Sequence, residues 1–584
     1  MTRFGFGPWI DEHGAGFRLW APAAESVRLL LEKPVPMTRR AEWFEAYVGK
    51  LSPGARYRFE IDGDLEIPDP ASHFQPDDVA GPSELVDHRF RWQCDDWKGR
   101  PWEEVVFSEV HIGTFTREGT FAAAARKLDH FRETGITAIE LMPLSEFPGR
   151  WNWGYDGVLP FAPDSSYGRP NDLKALIDAA HARGLMVFLD VVFNHFGPQG
   201  NYLGRIAPNF FSDAQTPWGG AIDYRVREVR QFAIQNAIHW LNHYRFDGLR
   251  LDAVHAIVTP GEPSILHELS AAVTAFASKV GRRIHLVLEN DNNESSLLSR
   301  NDESHSGLYR AQWNDDYHHS WHVLLTGEES GYYRDYVDAP RHIVRTLAEG
   351  FAYQGEASPH RSGGSRGEPS QGLAPSAFVN FIQNHDQIGN RPKGERLSVL
   401  TQRPAFLAAL SILLLQPSPP LLFMGDEWGA AEPFPFFCDF SGELADAVRN
   451  GRKEEFREAY AQYGAEIPDP LAAQTRESAI LNWTAIDVPE HRALLDLVRG
   501  ILNVRRHHIV PLLATMRRAE NVSLDSGVLS AEWRSNGQSL LLLANLSAEP
   551  KIRPPQPQRL QAIWGGDPPA RLPAWSVYAA LTGP

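Results

Sequence analysis

The sequence predicts an α/β protein: a closed (β/α)8 TIM barrel with one β-sandwich before it and another after it. Three observations carry this. From about Trp102, apolar runs of strand length alternate with amphipathic stretches of helical period over several hundred residues. Eight such apolar runs can be counted, the number that closes a parallel sheet into a barrel. Both ends of the chain instead carry short alternating strands separated by turn residues.

Residues 1–95 alternate apolar and polar positions between Gly, Pro and Asp turns, as in GFRLWAPAAESVRLLLE and RYRFEIDGD, and predict an N-terminal β-sandwich with no catalytic constellation. Residues 96–500 predict the barrel. Its opening reads strand and helix in turn: VVFSEVHIG, FAAAARKLDHFRETG, TAIELMPL, NDLKALIDAAHARG, LMVFLDVVF. Strands are expected near Val105, Ala138, Leu185, Gly248, His285, Leu308, Phe378 and Leu421. The stretch EASPHRSGGSRGEPSQGLAP, from Glu356 to Pro375, is rich in Gly, Ser and Pro and is expected to be a flexible loop. A second irregular stretch, from Gly425 to Asp469, carries FPFFCDF and GRKEEF and is expected to add short helices over the active face. Residues 501–584 return to short strands, VLSAEWRSNGQSLLLLANLS and LPAWSVYAAL, and predict the second β-sandwich.

Composition narrows the class of partner. With 57 basic and 73 acidic side chains the net charge is −16, and no basic stripe is present, which argues against nucleic acid or an anionic membrane and leaves room for a neutral ligand. Seventeen Trp and 16 Tyr serve packing first, but flat rings with a polar edge also suit sugar faces. The longest apolar run, Ala405 to Leu415, falls well short of the roughly 20 residues that span a bilayer. Cys94 and Cys438 make neither a disulfide framework nor a zinc-site spacing, so a reducing cytoplasm is expected.

The chemistry is carried by acids that stand where apolar runs end. Asp252 closes the strand in GLRLDAVHAI, Glu289 that in IHLVLENDN, and Asp386 follows FVNFIQNH; a fourth segment, GLMVFLDVVFNH, holds Asp190, Asn194 and His195 in the same relation. Any one such acid is more simply a helix cap or half of an ion pair. Four in succession at the carboxyl ends of barrel strands point instead to glycoside hydrolysis, in which one carboxyl protonates the leaving oxygen and another stabilises the anomeric carbon. Asp252 and Glu289 are the expected pair. Consecutive strand ends can hold two carboxyls at the roughly 5–5.5 Å that permits a covalent glycosyl-enzyme, which predicts retention of configuration. Arg250 points to the same side of its strand as Asp252 and can keep it ionised. His195, His385 and Asp386 are placed to fix sugar hydroxyls, while Trp153 and Tyr155, after the second strand, are placed to stack on a ring.

The segments DVVFNH, GLRLDAVHA, LVLEND and FIQNHDQ resemble the four signature regions of the α-amylase family of glycoside hydrolases, in the family's order. The resemblance implies Asp252 as nucleophile, Glu289 as acid/base and Asp386 as transition-state stabiliser. Finer features, FSEVHIGTFTREGTF, WNDDYHHSWHVLLTGEESGYY, NHDQIGNR, MGDEWGAAEPFPFFCDF and GRKEEF, are similar to those of the family's maltooligosyltrehalose trehalohydrolases. This implies hydrolysis of the α-1,4 bond next to the trehalose end of maltooligosyltrehalose. The third region reads Glu-Asn where Glu-Asp is usual, and the first strand reads FSEVH rather than FYEVH.

The face receiving the leaving trehalose is expected on His255, on the Trp313–His319 loop with Asp315, Asp316 and His318, and on the Asp426–Phe436 segment with Glu427. No cofactor and no metal are expected, because two carboxyls suffice and neither a Gly-rich phosphate loop nor a zinc spacing is present. Glycogen branching or debranching on the same scaffold is the nearest alternative, and a non-catalytic carbohydrate-binding protein is the other.

Overall fold

A computed structural model of the protein describes residues 5–216, 219–257, 264–298, 308–457, 464–555 and 560–582. Its centre is a sheet of eight parallel strands: β1 (Phe107–Val110), β2 (Ala138–Leu141), β3 (Met186–Val191), β4 (Gly248–Leu251), β5 (His285–Leu288), β6 (Ala311–Trp313), β7 (Phe378–Val379) and β8 (Leu421–Phe423). The strands pair in chain order from β1 to β7, and β8 lies beside β1. Closure is made just past the end of β7, where Asn380 N donates to Pro419 O (3.0 Å) and Leu421 N donates to Asn380 O (2.8 Å). The sheet therefore has no free edge, which is the usual remedy for unpaired strand N–H and C=O groups.

Phe107, Phe188, Val287, Ala311, Trp313, Val379, Phe381 and Leu421 fill the barrel as one buried cluster. Gly248 is forced by this packing: a Cβ there would lie 2.1 Å from the Phe188 ring. The sixth strand falls at Ala311–Trp313 rather than at Leu308, and is only three residues long with a buried Gln312 at its middle. A short strand carrying a polar centre has almost no apolar signature.

The N-terminal part is a two-sheet sandwich. One sheet holds Trp9–Ile10, Gly14–Trp20, Trp43–Gly49 and Thr38–Arg40; the other holds Val35–Pro36, Val27–Leu30, Arg56–Ile61 and Leu65–Ile67, with Ser83–Glu84 paired to Arg56–Tyr57. Phe17 and Tyr57 meet edge to face between the sheets, 4.8 Å between centroids. The C-terminal strands begin at Asn521 and form a five-stranded antiparallel sheet beside a two-stranded ribbon. The expected boundary near residue 501 falls within the helix Pro489–Val504, whose Leu494, Leu495, Val498, Ile501 and Leu502 are buried.

Two stretches differ from expectation. The Gly-, Ser- and Pro-rich segment after Glu356 is a packed hairpin, Glu356–Ala357 against Ser365–Arg366, because Arg361 and Arg366 both pair with Asp291 and Ser358 bonds to Asp335. The Trp313–His319 loop is a helix from Asp315 to Thr326, begun by Asn314, whose amide is held by Asn380. In the Gly425–Asp469 stretch the helix Gly442–Glu455 forms, as expected of added helices. No helix of the described residues is long and apolar enough to cross a membrane.

Candidate active site

The acids gather at the carboxyl ends of the strands around Arg250. Arg250 is fully buried on β4, stacked over the Trp313 ring at 4.1 Å. Its Nη1 lies 2.5 Å from Asp190 and 3.0 Å from Asp252 Oδ1, and its Nη2 lies 2.8 Å from Glu289 Oε2. One guanidinium thus touches carboxylates from the ends of β3, β4 and β5. Asp252 also accepts from Asn194 Nδ2 at its other oxygen, 2.8 Å, so both oxygens are aimed.

Directly after Asp252 the chain turns at Ala253, a non-glycine residue in the left-handed region (φ 39°), and the Ala253 N–H donates to Glu289 Oε2 at 2.8 Å. A strained backbone at this position places the β4 turn against the β5 carboxyl. Burial pushes the Glu289 carboxyl well above its ordinary range; Arg250 opposes this, and the charges of Asp252, Asp386 and Asp315 reinforce it. Glu289 is therefore the acid that holds a proton, as a general acid must.

Asp386 lies at the start of the short helix His385–Gly389, where Asn384 caps by accepting from the Asp386 N–H (2.9 Å) and Gln387 returns a bond to Asn384 N (3.1 Å). Burial raises Asp386, but His385, 3.3 Å away, outweighs it and holds the carboxyl below its usual range. His385 is itself kept charged: burial disfavours the imidazolium, yet Asp386 and Glu109 together raise it well above the ordinary histidine range. Tyr155 stacks on the His385 ring at 5.0 Å and donates its hydroxyl to Asp190 (2.6 Å). His195 lies beside Asn194 and faces the Tyr155 carbonyl (Nε2 to O, 3.0 Å), so it acts on Asp252 through Asn194.

Beneath the acids lies a second buried acidic layer, of which only Asp190 stands out in the sequence. Glu109 on β1 bonds His385, and Glu140 on β2 is fully buried, pushed well up first by burial and then by the charges of Asp190 and Glu109. Asp190 is raised to about 6 by the same burial. The available signal was an acid inside an apolar strand, SEV for Glu109 and IEL for Glu140, rather than at its end.

Several expected contacts are corrected. Asp316 is fully buried and committed to protein: it accepts from Asn293 Nδ2 (3.0 Å), Ala352 N (2.7 Å), Tyr353 N (3.1 Å) and the Tyr336 hydroxyl, and pairs with Arg366 (3.1 Å). His318 is spent between Ile382 O (2.6 Å) and the Tyr333 hydroxyl (3.1 Å). Glu427 is buried and bonds His130 (2.7 Å) of the covering helix Leu128–Thr134. Because the 315–326 segment is helical, the adjacent Asp315 and Asp316 point in different directions, and only one of the two can face the cleft. That residue is Asp315, which is half-buried, accepts from Gln387 Nε2 (3.2 Å), and is raised to about 7 by burial and then by the charges of Asp291 and Asp386. His255 is exposed at the rim, its Nδ1 accepting from Asp291 N (3.2 Å). Trp153 is buried in packing, stacked on Phe434 at 5.3 Å with its edge to His385, and supports the site from behind.

A closed parallel barrel whose strand ends present this carboxyl set around one arginine defines a glycoside hydrolase site. Models of the alpha amylase catalytic domain, of carbohydrate-binding module 48 (isoamylase N-terminal domain) and of a domain of unknown function match residues 95–210, 4–72 and 517–578. A malto-oligosyltrehalose trehalohydrolase of Deinococcus radiodurans is 41% identical over 96% of this chain and 93% of its own. Enzymes of the same name from Saccharolobus solfataricus (37%, 86% and 87%) and Mycobacterium tuberculosis (38%, 92% and 93%) match likewise. A crystal structure of a Salmonella typhimurium protein grouped with the alpha amylases superposes with a TM-score of 0.95 at 43% identity over the whole of both chains. The chain belongs to the malto-oligosyltrehalose trehalohydrolases of the α-amylase family.

Proposed function

We propose that this protein is a retaining glycoside hydrolase that cleaves the α-1,4-glucosidic bond next to the terminal trehalose of maltooligosyltrehalose and releases trehalose. The carrying observation is that Arg250 reaches both Asp252 and Glu289 while burial and neighbouring charge keep Glu289 protonated. Asp252 attacks the anomeric carbon as Glu289 gives its proton to the leaving oxygen, forming a glycosyl-enzyme; Glu289, now a carboxylate, takes a proton from water, whose oxygen displaces Asp252. Asp386, aimed by its charged partner His385, accepts from ring hydroxyls and stabilises the oxocarbenium-like transition state.

On the leaving side, Asp315 and His255 are the polar groups of the expected set that remain available to a trehalose unit. A polar group that bound substrate desolvates, and that a trehalose unit pairs but a plain maltooligosaccharide leaves unpaired, penalises the latter, which is the physical basis for selectivity. Both thiols are free, in keeping with a cytoplasmic protein. Branching activity is less favoured, since a Corynebacterium jeikeium branching enzyme is only 25% identical over 73% of this chain. Product analysis on maltooligosyltrehalose beside an equal-length maltooligosaccharide tests the reading. Free trehalose from the first and slow turnover of the second is expected; new α-1,6 linkages, or equal turnover of both, would overturn it.

A further inference from the structure

Far from the catalytic acids, four imidazoles meet where the N-terminal part of the chain crosses the barrel's covering helix Arg227–His243. His73 and His88 flank the short strand Ser83–Glu84, and His239 and His243 stand one turn apart on the helix. We propose that His73, His88 and His239 form a binding site for a divalent transition-metal ion, zinc or a zinc-like ion, that cross-links the N-terminal part to the barrel.

The geometry is that of a ligand set. One ring nitrogen from each of the three histidines lies within 4.8 Å of the others, and His73 Nδ1 and His88 Nε2 are 3.1 Å apart. Zinc–nitrogen bonds of about 2.0–2.1 Å in a tetrahedron set ligand nitrogens about 3.3–3.4 Å apart, so the His73–His88 pair is already at spacing and the widest pair closes by about 1.5 Å through ring rotation. His243 stacks on the His88 ring at 4.0 Å and walls the fourth side. His73 and His239 are buried.

An imidazole ligates through a ring nitrogen that carries no proton, and each of the three rings brings one nitrogen to the common point. His239 is also bonded to the Phe161 backbone carbonyl, the kind of outer partner that fixes a ligating tautomer. An all-imidazole set excludes calcium and magnesium, which take oxygen. Lys174 opposes a cation: its Nζ bonds the His88 carbonyl at 3.1 Å.

The test uses full-length, tag-free protein. After incubation with zinc and desalting, elemental analysis is expected to return one zinc per chain, cobalt substitution to give the visible d–d bands of a nitrogen-ligated tetrahedral ion, and the melting temperature to rise. His73→Asn and His239→Gln are expected to lose the bound ion and the cobalt bands. Lys174→Met is expected to tighten binding, by about tenfold. Wild-type protein that retains no zinc and shows no cobalt spectrum overturns the proposal, as does undiminished binding in the folded His73→Asn variant. A zinc-edge anomalous peak between these rings in a soaked wild-type crystal is the expected result that needs no variant; a peak elsewhere overturns it.

Discussion

Glu109 accepts two bonds from one residue across the barrel, from the His385 backbone N–H at 3.0 Å and from its ring Nδ1 at 2.5 Å. Both atoms of the donor are fixed by a single buried carboxylate on β1, so the ring can turn neither away from Asp386 nor out of the Tyr155 stack. The imidazolium that results is the positive charge that holds Asp386 ionised.

Replacing that carboxylate removes the charge but keeps the shape. Glu109→Gln is expected to lower kcat by about 10- to 100-fold, the worth of one buried bond to a charged group. Because His385 then loses its proton at a lower pH, activity should decline earlier on the alkaline side than in the unmodified protein. A pH profile of kcat checks this. An unchanged alkaline limb would mean that Glu109 only packs.

The catalytic pair sets a second expectation. Asp252→Asn and Glu289→Gln should each remove nearly all turnover while leaving the melting temperature within a few degrees, and the first product seen by NMR with unmodified protein should keep the substrate's anomeric configuration. In the proposed mechanism Glu289 works protonated, and burial raises its folded pKa. The alkaline limb of activity should therefore follow that raised pKa, with turnover lost as pH rises through it. Since Asp315 is one of the charges that raise Glu289, Asp315→Asn should move the alkaline limb of kcat/KM to lower pH.

Asp315 and its neighbour Asp316 should part company. Asp315→Asn is expected to lower kcat/KM on maltooligosyltrehalose more than on maltooligosaccharide, with folding intact. Asp316→Asn should leave that ratio unchanged and cost about 3–5 kcal/mol of stability, because buried Arg366 would lose one of its two carboxylate partners and the group that also gathers the Tyr336 hydroxyl and two backbone N–H groups would lose its charge. Parallel specificity measurements and thermal melts decide between the two roles.

The same contrast shows what was legible in the sequence and what was not. The barrel strands were visible because a parallel strand buried on both faces reads as an unbroken apolar run, and Asp252, Glu289 and Asp386 were visible because each interrupts such a run at its end. Gln312 hid β6 by placing a polar residue at the centre of three. Asp316, His318 and Glu427 look in one dimension like the site acids and histidines. The helix beginning at Asp315 turns Asp316 toward Tyr336 and His318 toward Ile382, and the tight turn Asp426–Trp428 after β8 holds Glu427 against His130. Glu109 and Glu140 were hidden for the opposite reason, being acids inside strands whose importance depends on a barrel wall facing them.

Acid stability should depend on a carboxyl at the other end of the barrel. Asp247, fully buried just before β4, accepts from Trp97 Nε1 (2.7 Å), Val187 N (2.9 Å) and His181 Nε2 (2.9 Å), and faces Arg282 at 3.4 Å. Burial alone would raise it, but these partners together pull it below its ordinary value. A carboxyl lowered on folding adds stability that is fully present above the unfolded pKa of about 3.9 and is lost as pH falls through the folded value. Asp247→Asn should therefore cost about 3–5 kcal/mol at pH 7, where a buried pair is broken, and progressively less below pH 4, where the unmodified protein is losing the same interaction. Melting curves of both proteins from pH 7 to pH 2.5 should converge toward the acid end. Parallel curves would place the acid-sensitive group elsewhere.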